Sequence, residues 1–308
     1  MTIFDNGFYK GFQAETCPTA VGDFTVIHNG DKDRKTTDKL VVLLLHGYPQ
    51  THAIFRKLAP LLQDKVTMVM ADLRGYGDAP KPASDSAHAA YSKRAMAGDM
   101  IEIMNHLGHQ KFALVGHDRG GRVAHRLARD YPDKVSHLSV LDIAPTLTMY
   151  EGTDMAFASA YYHWFFLIQK APLPERLIGA DTEFYLRTKF ASWSGQDPDD
   201  NSWLDEAAFG HYLAAFSDPA TIHASCEDYR AAATIDLDHD RADSDTRLEM
   251  PVQCLWGQKG FVGKTYDVIA EWEKVAANVT GQPVQGGHFV PEEAPDETAS
   301  ALLSFWAV

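Results

Sequence analysis

The chain contains few cysteines, no long apolar run and a deficit of positive charge. Cys17, Cys226 and Cys254 are odd in number, widely spaced and without a Cys-x-x-Cys pair, which excludes a disulfide framework and argues against a zinc site. Such sparse cysteine usage predicts a reducing, cytoplasmic location. Residues 1–8 lack the apolar core of a signal peptide, and no run approaches membrane-spanning length, so we expect no membrane partner.

Acidic residues outnumber basic ones. The chain has 42 Asp and Glu against 28 Lys and Arg, a formal net charge of −14, which argues against nucleic acid as a partner. An anionic substrate would therefore need a local cationic site. With 308 residues, 45% of them hydrophobic, the chain is long enough for one large α/β domain or two smaller ones.

One short stretch carries the strongest chemical signal. Four apolar residues at 112–115 predict a buried strand, and Gly116-His117-Asp118-Arg119-Gly120 follows directly. Helical apolar spacing resumes at 123–128. This is the pattern of a nucleophile elbow, a sharp strand-to-helix turn whose usual nucleophile is serine. Here the position is Asp118, which could instead simply cap the helix that follows.

An aspartate at this position changes the chemistry. A carboxylate that attacks a saturated carbon forms an ester whose carbonyl belongs to the enzyme, and water can cleave that ester. A serine in the same reaction would form an ether that this machinery could not release. Asp118 therefore indicates displacement at an alkyl carbon, either of a halide or in an epoxide.

The remaining pattern predicts an α/β fold. Apolar runs at 40–45, 66–71, 135–141 and 251–257 are typical of buried parallel strands, and residues 91–107 have helical spacing. The alternation stops from residue 146 to about 247, where aromatic residues are frequent. We therefore predict an α/β-hydrolase fold with a mostly parallel doubly wound sheet. Its core domain would comprise residues 1–146 and 247–308, with an inserted helical cap at 147–246.

Two further predictions concern short segments, the hairpin near the N-terminus and an acidic run. The first forty residues predict a short hairpin whose strand at 24–28 ends in a polar turn at 29–31. The acidic run at 236–240 is more typical of a solvated helix face than of a metal site.

Three further residues fit the elbow. The strand at 40–45 ends in His46-Gly47-Tyr48-Pro49, where the backbone N–H of Tyr48 could point at a reacting group, or the motif could be a tight turn only. His288 lies in a glycine-preceded loop near the C-terminus. Residues 256–261 contain no acid, so Asp142, one strand earlier, is the candidate third member, unless it only forms a turn. Asp118, Asp142 and His288 then follow the order nucleophile, acid, histidine.

In these motifs the chain resembles the haloacetate (fluoroacetate) dehalogenase family of the α/β-hydrolase superfamily over nearly its full length. The residues that carry the resemblance are 46–52, 72–77, 117–122, 162–164, 227–230 and 287–289. One departure is Tyr48, where some relatives have phenylalanine; since its backbone N–H is what matters, only the pocket shape is affected.

The resemblance and the residues agree on a carboxylate site. Arg119 and Arg122 are three positions apart at the start of the predicted helix, so both side chains lie on one face and suit a small carboxylate, or else form surface ion pairs. By resemblance, His163, Trp164 and Tyr229 would donate hydrogen bonds to the departing halide; from sequence alone each is typical of cap core. The resemblance further implies no cofactor, no metal and a possible homodimer.

The predicted reaction has two steps. Asp118 displaces halide from a 2-haloacetate held by Arg119 and Arg122, and His288, oriented by Asp142, then activates water to release glycolate. The backbone N–H groups of Tyr48 and Arg119 would stabilise the oxyanion. The sequence does not determine which halogen is removed.

Two alternatives stay open. An epoxide hydrolase would use the same machinery with an acid in the cap, usually a tyrosine pair, although a neutral epoxide has no use for Arg119. The second alternative is a non-catalytic hydrolase-fold protein that binds a small carboxylate.

Overall fold

The fold is built on one sheet of eight strands in the order β1-β2-β4-β3-β5-β6-β7-β8. The structure, a computed structural model, describes residues 8–30, 38–196 and 203–308. The strands are β1 (Gln13–Thr19), β2 (Gly22–His28), β3 (Val41–Leu45), β4 (Thr67–Ala71), β5 (Phe112–His117), β6 (Val135–Leu141), β7 (Val252–Gly257) and β8 (Val279–Val284). All pairs from β4 to β8 are parallel, and β2 is antiparallel to both of its neighbours. This confirms the predicted mostly parallel α/β sheet.

Helices connect these strands. Over the described residues the α-helices are α1 (Ala59–Leu62), α2 (Lys93–His106), α3 (Arg119–Asp130), α4 (Thr146–Glu151), α5 (Met155–Ala160), α6 (Tyr162–Leu167), α7 (Leu173–Ala180), α8 (Thr182–Trp193), α9 (Glu206–Phe216), α10 (Pro219–Ala232), α11 (Ile235–Ala242), α12 (Phe261–Thr265), α13 (Val268–Glu273), α14 (Val290–Glu293) and α15 (Pro295–Trp306). Short 3₁₀ helices cover His52–Arg56, Ala89–Tyr91 and Pro132–Lys134. None of the described helices has both the length and the apolar character needed to cross a membrane.

The central strands of the sheet position the elbow. Every residue of β3, β4 and β5 is buried, as expected for apolar runs covered on both faces. Helix α3 packs on β3, β5 and β6 and follows β5 directly, so its N-terminus lies at the carboxyl edge of the sheet. Ligands of open α/β sheets bind at this edge, which places the elbow where chemistry is expected.

The hairpin differs in one detail from the prediction. The strand predicted at 24–28 is the second half of β2, and β2 pairs with β1, which precedes it. The turn of this hairpin is therefore at Ala20 and Val21. Gly22 permits this tight turn, because its backbone adopts a φ of 133°, a conformation that would strain a residue with a side chain. Of the polar turn predicted at 29–31, Gly30 lies at a bend and residue 31 lies outside the described part.

Among the described residues between β6 and β7 there are eight helices, α4 to α11, in the region where the alternation of strands stops. Their large aromatic side chains are buried or half-buried, except those of Phe184 and Tyr162, which are exposed. The division of the chain into two domains at residues 146 and 247 stays a prediction.

The prediction that the acidic run at 236–240 is a solvated helix face is only partly correct. Asp238 on α11 is exposed, but Asp236 is buried and accepts hydrogen bonds from the backbone N–H and the ammonium of Lys93. Asp240 pairs with Arg126. A buried carboxylate needs such partners, and they lie too far along the chain to be visible in the sequence pattern.

Candidate active site

Asp118 lies at a strained turn between β5 and α3. Its backbone has φ 46° and ψ −113°, a combination that L-residues avoid and that persists at functional sites when the surroundings enforce it. Close packing of glycine enforces it here, since a Cβ on Gly120 would lie 2.3 Å from the carbonyl oxygen of Leu45. The Asp118 side chain makes no capping hydrogen bond to α3, so the helix-cap interpretation is wrong.

The turn after β3 holds the Asp118 carboxylate instead. The backbone N–H of Tyr48 donates to Asp118 Oδ1 at 2.9 Å. Gly47 permits this approach, because a Cβ there would lie 2.5 Å from the Cβ of Asp118. Arg119 is the first residue of α3, so its backbone N–H has no partner within the helix. Its part in an oxyanion hole stays a prediction.

His288 stands between two carboxylates. Its Nδ1 is 2.6 Å from Asp142 Oδ2, and its Nε2 is 4.0 Å from Asp118 Oδ2. Asp142 follows β6 with a φ of 53°, and its other oxygen accepts a hydrogen bond from the backbone N–H of Gly257 at 3.0 Å. Asp142 thus orients the imidazole so that Nε2 faces the Asp118 carboxylate, an arrangement suited to a general base.

The buried charges favour the ionised nucleophile. Burial alone would raise the pKa of Asp118, but attraction to His288, His117 and Arg119 outweighs it and lowers the pKa below its usual range. Burial opposes the charged form of His288, yet the hydrogen bond and charge of Asp142 raise its pKa above the usual value. A carboxylate nucleophile beside a basic histidine is the combination that ester formation and hydrolysis need.

Arg119 and Arg122 are buried rather than engaged in surface ion pairs. Two nitrogens of Arg119 are taken by Asp228, while Nη1 is buried and has no partner among the described residues. Arg122 donates through Nη1 to Thr146 and through Nη2 to the sulfur of Met149, and its Nε likewise has no partner in the described chain. Each guanidinium therefore keeps one unused donor.

The three residues predicted to bind halide, His163, Trp164 and Tyr229, lie close to these arginines. The Arg119 guanidinium lies 4.1 Å from the Tyr229 ring centroid, and that of Arg122 lies 4.7 Å from the ring of Trp164. The rings of His163 and Tyr229 are 5.6 Å apart. His163 Nδ1, Trp164 Nε1 and the Tyr229 hydroxyl are all buried and, within residues 8–30, 38–196 and 203–308, all lack a hydrogen-bond partner. Buried donors are rarely left unmatched, so the cluster is suited to an acceptor that a ligand supplies.

Asp228 is a functional residue that the sequence reasoning missed. It precedes Tyr229 on α10, is fully buried, and binds Arg119 through both carboxylate oxygens at 2.7 and 2.8 Å. Lys93 and Tyr76 also donate to it. It lies in the motif at 227–230, but nothing in the sequence links it to residue 119. Asp228 thereby holds the Arg119 guanidinium in an orientation that leaves Nη1 without a partner among the described residues.

Replacing Asp228 with asparagine should destabilise the fold markedly. The change leaves the buried cations Arg119 and Lys93 short of a counter-charge, and breaking a buried pair in this way costs about 3 kcal/mol or more. Asp205→Asn is the matched control, since Asp205 also pairs with an arginine, Arg56, but is exposed, and its loss should cost less than about 1 kcal/mol. Chemical denaturation measures both; equal losses would contradict a tightly balanced buried cluster.

Tyr150 also escaped the sequence reasoning. Its ring lies 4.7 Å from that of Trp164, and its hydroxyl is buried and has no partner in the part of the chain that is described. Burial raises the pKa of this phenol well above its usual value although Arg119 and Arg122 oppose the shift. It is therefore a neutral hydroxyl beside the two arginines.

One cluster away from the elbow has ligand-type atoms. Glu15, Cys17 and His106 bring one such atom each within 4.8 Å of the others, at the β1 edge of the sheet. The imidazole of His106 already forms a hydrogen bond with Glu15 at 3.1 Å, which accounts for this proximity.

Comparison with known proteins places this geometry in a family. A family model described as the alpha/beta hydrolase fold matches residues 41–295. A fluoroacetate dehalogenase from Burkholderia sp. is 44% identical over 266 residues, which are 86% of this chain and 86% of that relative. A soluble epoxide hydrolase from Corynebacterium sp. is 34% identical over 86% of this chain and 90% of its own length. A solved structure of an alpha/beta hydrolase from Nostoc sp. PCC 7120 is 50% identical, with a TM-score of 0.91 over 96% of this chain and 98% of that one.

The sheet order, the elbow and the family match together define an α/β-hydrolase. Within that superfamily, the chain belongs to the haloacetate dehalogenase family, which places it among the hydrolases that act on carbon–halide bonds.

Proposed function

We propose that this enzyme converts 2-haloacetates to glycolate and halide through an ester on Asp118. One Asp118 oxygen attacks the α-carbon, the carbon–halogen bond breaks, and the halide leaves with the bonding electron pair. A water then loses a proton to His288 Nε2 and attacks the Asp118 carbonyl carbon. Collapse of the resulting oxyanion breaks the ester and releases glycolate, whose alkoxide oxygen takes the proton back from His288. The Asp118 carboxyl then loses its remaining proton to solvent.

The observation that carries this proposal is that the Asp118 carboxylate is held by a hydrogen bond while Arg119 and Arg122 each keep an unused donor. The backbone N–H of Tyr48 holds Asp118 Oδ1, so Oδ2 is the oxygen free to attack. Arg119 Nη1 and Arg122 Nε can bind the substrate carboxylate, which draws a small anion into a chain of net charge −14. In the second step the oxyanion would develop on Oδ1, where the Tyr48 N–H already points.

The leaving halide would be received by His163, Trp164 and Tyr229. Burial and the charge of Lys189 lower the pKa of His163 well below its usual value, so its imidazole is neutral and donates one N–H. Together with the indole N–H of Trp164 and the hydroxyl of Tyr229, this gives three donors on apolar rings. They can solvate a small anion, and since none carries a full positive charge, the anion can still leave. The 44% identity to a fluoroacetate dehalogenase supports the same assignment.

The test is product formation from three substrates supplied side by side. We expect free halide and glycolate from both fluoroacetate and chloroacetate, and no diol from a small neutral epoxide. Release of chloride alone would keep the mechanism but remove fluoroacetate from the substrates. Binding of haloacetates without any product would favour the non-catalytic alternative.

Epoxide hydrolysis is the second candidate, because a relative of 34% identity bears that name and two buried tyrosine hydroxyls, on Tyr150 and Tyr229, are unpartnered in the described structure. They could protonate an opening epoxide ring. Diol without halide would therefore overturn the dehalogenase proposal. A homodimer, a cytoplasmic location and the absence of a cofactor remain predictions.

A further inference from the structure

Glu293, the last residue of α14, binds the backbone of the loop that carries His288. This loop comprises residues 285–289 and joins β8 to α14. The Oε2 atom of Glu293 accepts a hydrogen bond from the backbone N–H of Gly287 at 2.9 Å, and its Oε1 atom accepts one from that of Phe289 at 2.9 Å. The two carboxylate oxygens therefore hold the loop on both sides of the histidine.

The same carboxylate also binds the segment that follows α8. Its Oε2 accepts a second hydrogen bond, at 2.7 Å, from the backbone N–H of Gly195. The two segments are in close backbone contact here, since a Cβ on Gly287 would lie 2.2 Å from the nitrogen of Gly195. The backbone N–H of His288 donates to the carbonyl of Trp193, the last residue of α8, at 2.9 Å. Glu293 thus joins the His288 loop to the end of α8.

These backbone contacts set the position of the imidazole, whereas Asp142 sets its orientation through Nδ1. Every backbone N–H from residue 287 to residue 289 is bound, and the carbonyl of His288 accepts a hydrogen bond from His117 Nε2 at 2.7 Å. A general base must lie within hydrogen-bond reach of the water that it activates, and a misplacement of about 1 Å can slow a reaction about 100-fold.

We propose that Glu293 is a positioning residue for His288, whose carboxylate holds the loop so that Nε2 stays in place to activate water in the second step. The inference rests on the proposed function in taking His288 as that base. Glu293 acts through the loop and is not itself a catalytic group. All three of its partners are N–H donors, so a side chain with two acceptor oxygens satisfies them and one with a donor of its own does not.

Glu293→Gln tests this role with chloroacetate as substrate. Glutamine keeps the length of glutamate but replaces one acceptor oxygen by an NH₂ donor, which opposes the backbone N–H groups. We expect ester hydrolysis to slow, so that kcat and KM both fall about tenfold while kcat/KM, which reports the steps up to halide release, stays within about twofold of wild type. Intact-protein mass spectrometry during turnover should find a larger fraction of the variant than of the wild type as the ester on Asp118.

Glu297→Gln is the matched control. Glu297 also accepts a hydrogen bond from a backbone N–H of this loop, that of Gln285 at 2.7 Å, but it is exposed and holds only the start of the loop. This variant should keep the wild-type kcat and ester fraction. Glu293→Asp keeps both acceptor oxygens on a side chain one methylene shorter, so it should show the same pattern as Glu293→Gln with a smaller fall in kcat, and it replaces that variant if Glu293→Gln does not fold.

The kinetic pattern separates positioning from a purely structural role. Loss of a purely structural residue lowers the number of active molecules, so kcat and kcat/KM would fall by the same factor and the ester fraction would not rise. That result, or turnover by both Glu293 variants at the wild-type rate, would overturn the inference. Absence of halide release by the wild type would instead count against the proposed function.

Discussion

Asp118→Asn should lose halide release from chloroacetate by about 10⁴-fold or more. Asparagine has the size of aspartate and can still accept the Tyr48 N–H, so the elbow should keep its geometry. A neutral amide, however, cannot displace halide from a saturated carbon, and losing a nucleophile removes the covalent route altogether. Steady-state halide release by ion chromatography measures the loss.

The control for this variant is Asp267→Asn. Asp267 caps α13 by accepting from the backbone N–H of Ala270, and asparagine caps helices equally well, so this change should leave halide release intact. Substantial turnover by freshly prepared Asp118→Asn protein would mean that water attacks the substrate directly and that Asp118 is not the nucleophile.

His288→Asn should stop the reaction halfway. Asp118 needs no base to attack, and Arg119 and Arg122, which also lower its pKa, still favour its ionised form without His288, so one equivalent of halide should still be released. Without the imidazole, water is not activated, and turnover should fall by about 10³-fold or more while a carboxymethyl ester accumulates on Asp118. Rapid-mixing halide assays and intact-protein mass spectrometry report the two halves separately.

His223→Asn is the matched control, since His223 is an exposed cap histidine that contacts Glu175. It should turn over normally and carry no adduct. A His288→Asn enzyme that cycles at the wild-type rate would refute the assignment of the base. Loss of the halide burst as well would place His288 in the first step.

Much of the site was predictable because its signals are local. The elbow at Asp118 is a strand, a glycine-flanked turn and a helix within one short segment, and each part has its own sequence pattern. Asp142 and His288 could be named because parallel strands bring their carboxyl ends to one edge of the sheet. The structure does bring these two side chains together, with 2.6 Å between Nδ1 and Oδ2.

Other features are absent from any local pattern. The sequence indicates that Arg119 and Arg122 share a helix face, but not that Asp228 takes two nitrogens of Arg119 and leaves the third. The predicted solvation of Asp236 was wrong for the same reason, because its partner Lys93 lies far away along the chain.

By itself, the sequence determined the sheet and the elbow, since these depend on residue type and short-range order. It also has an aspartate where the elbow usually has serine, and this residue type predicts attack on an alkyl carbon. Only the tertiary structure decided which buried donors of the described residues are used and which have no partner. The physical reason is that hydrogen bonding and burial depend on distance in space. A buried charge is defined by what surrounds it, and α6, α8 and α10 surround this site only once the chain has folded.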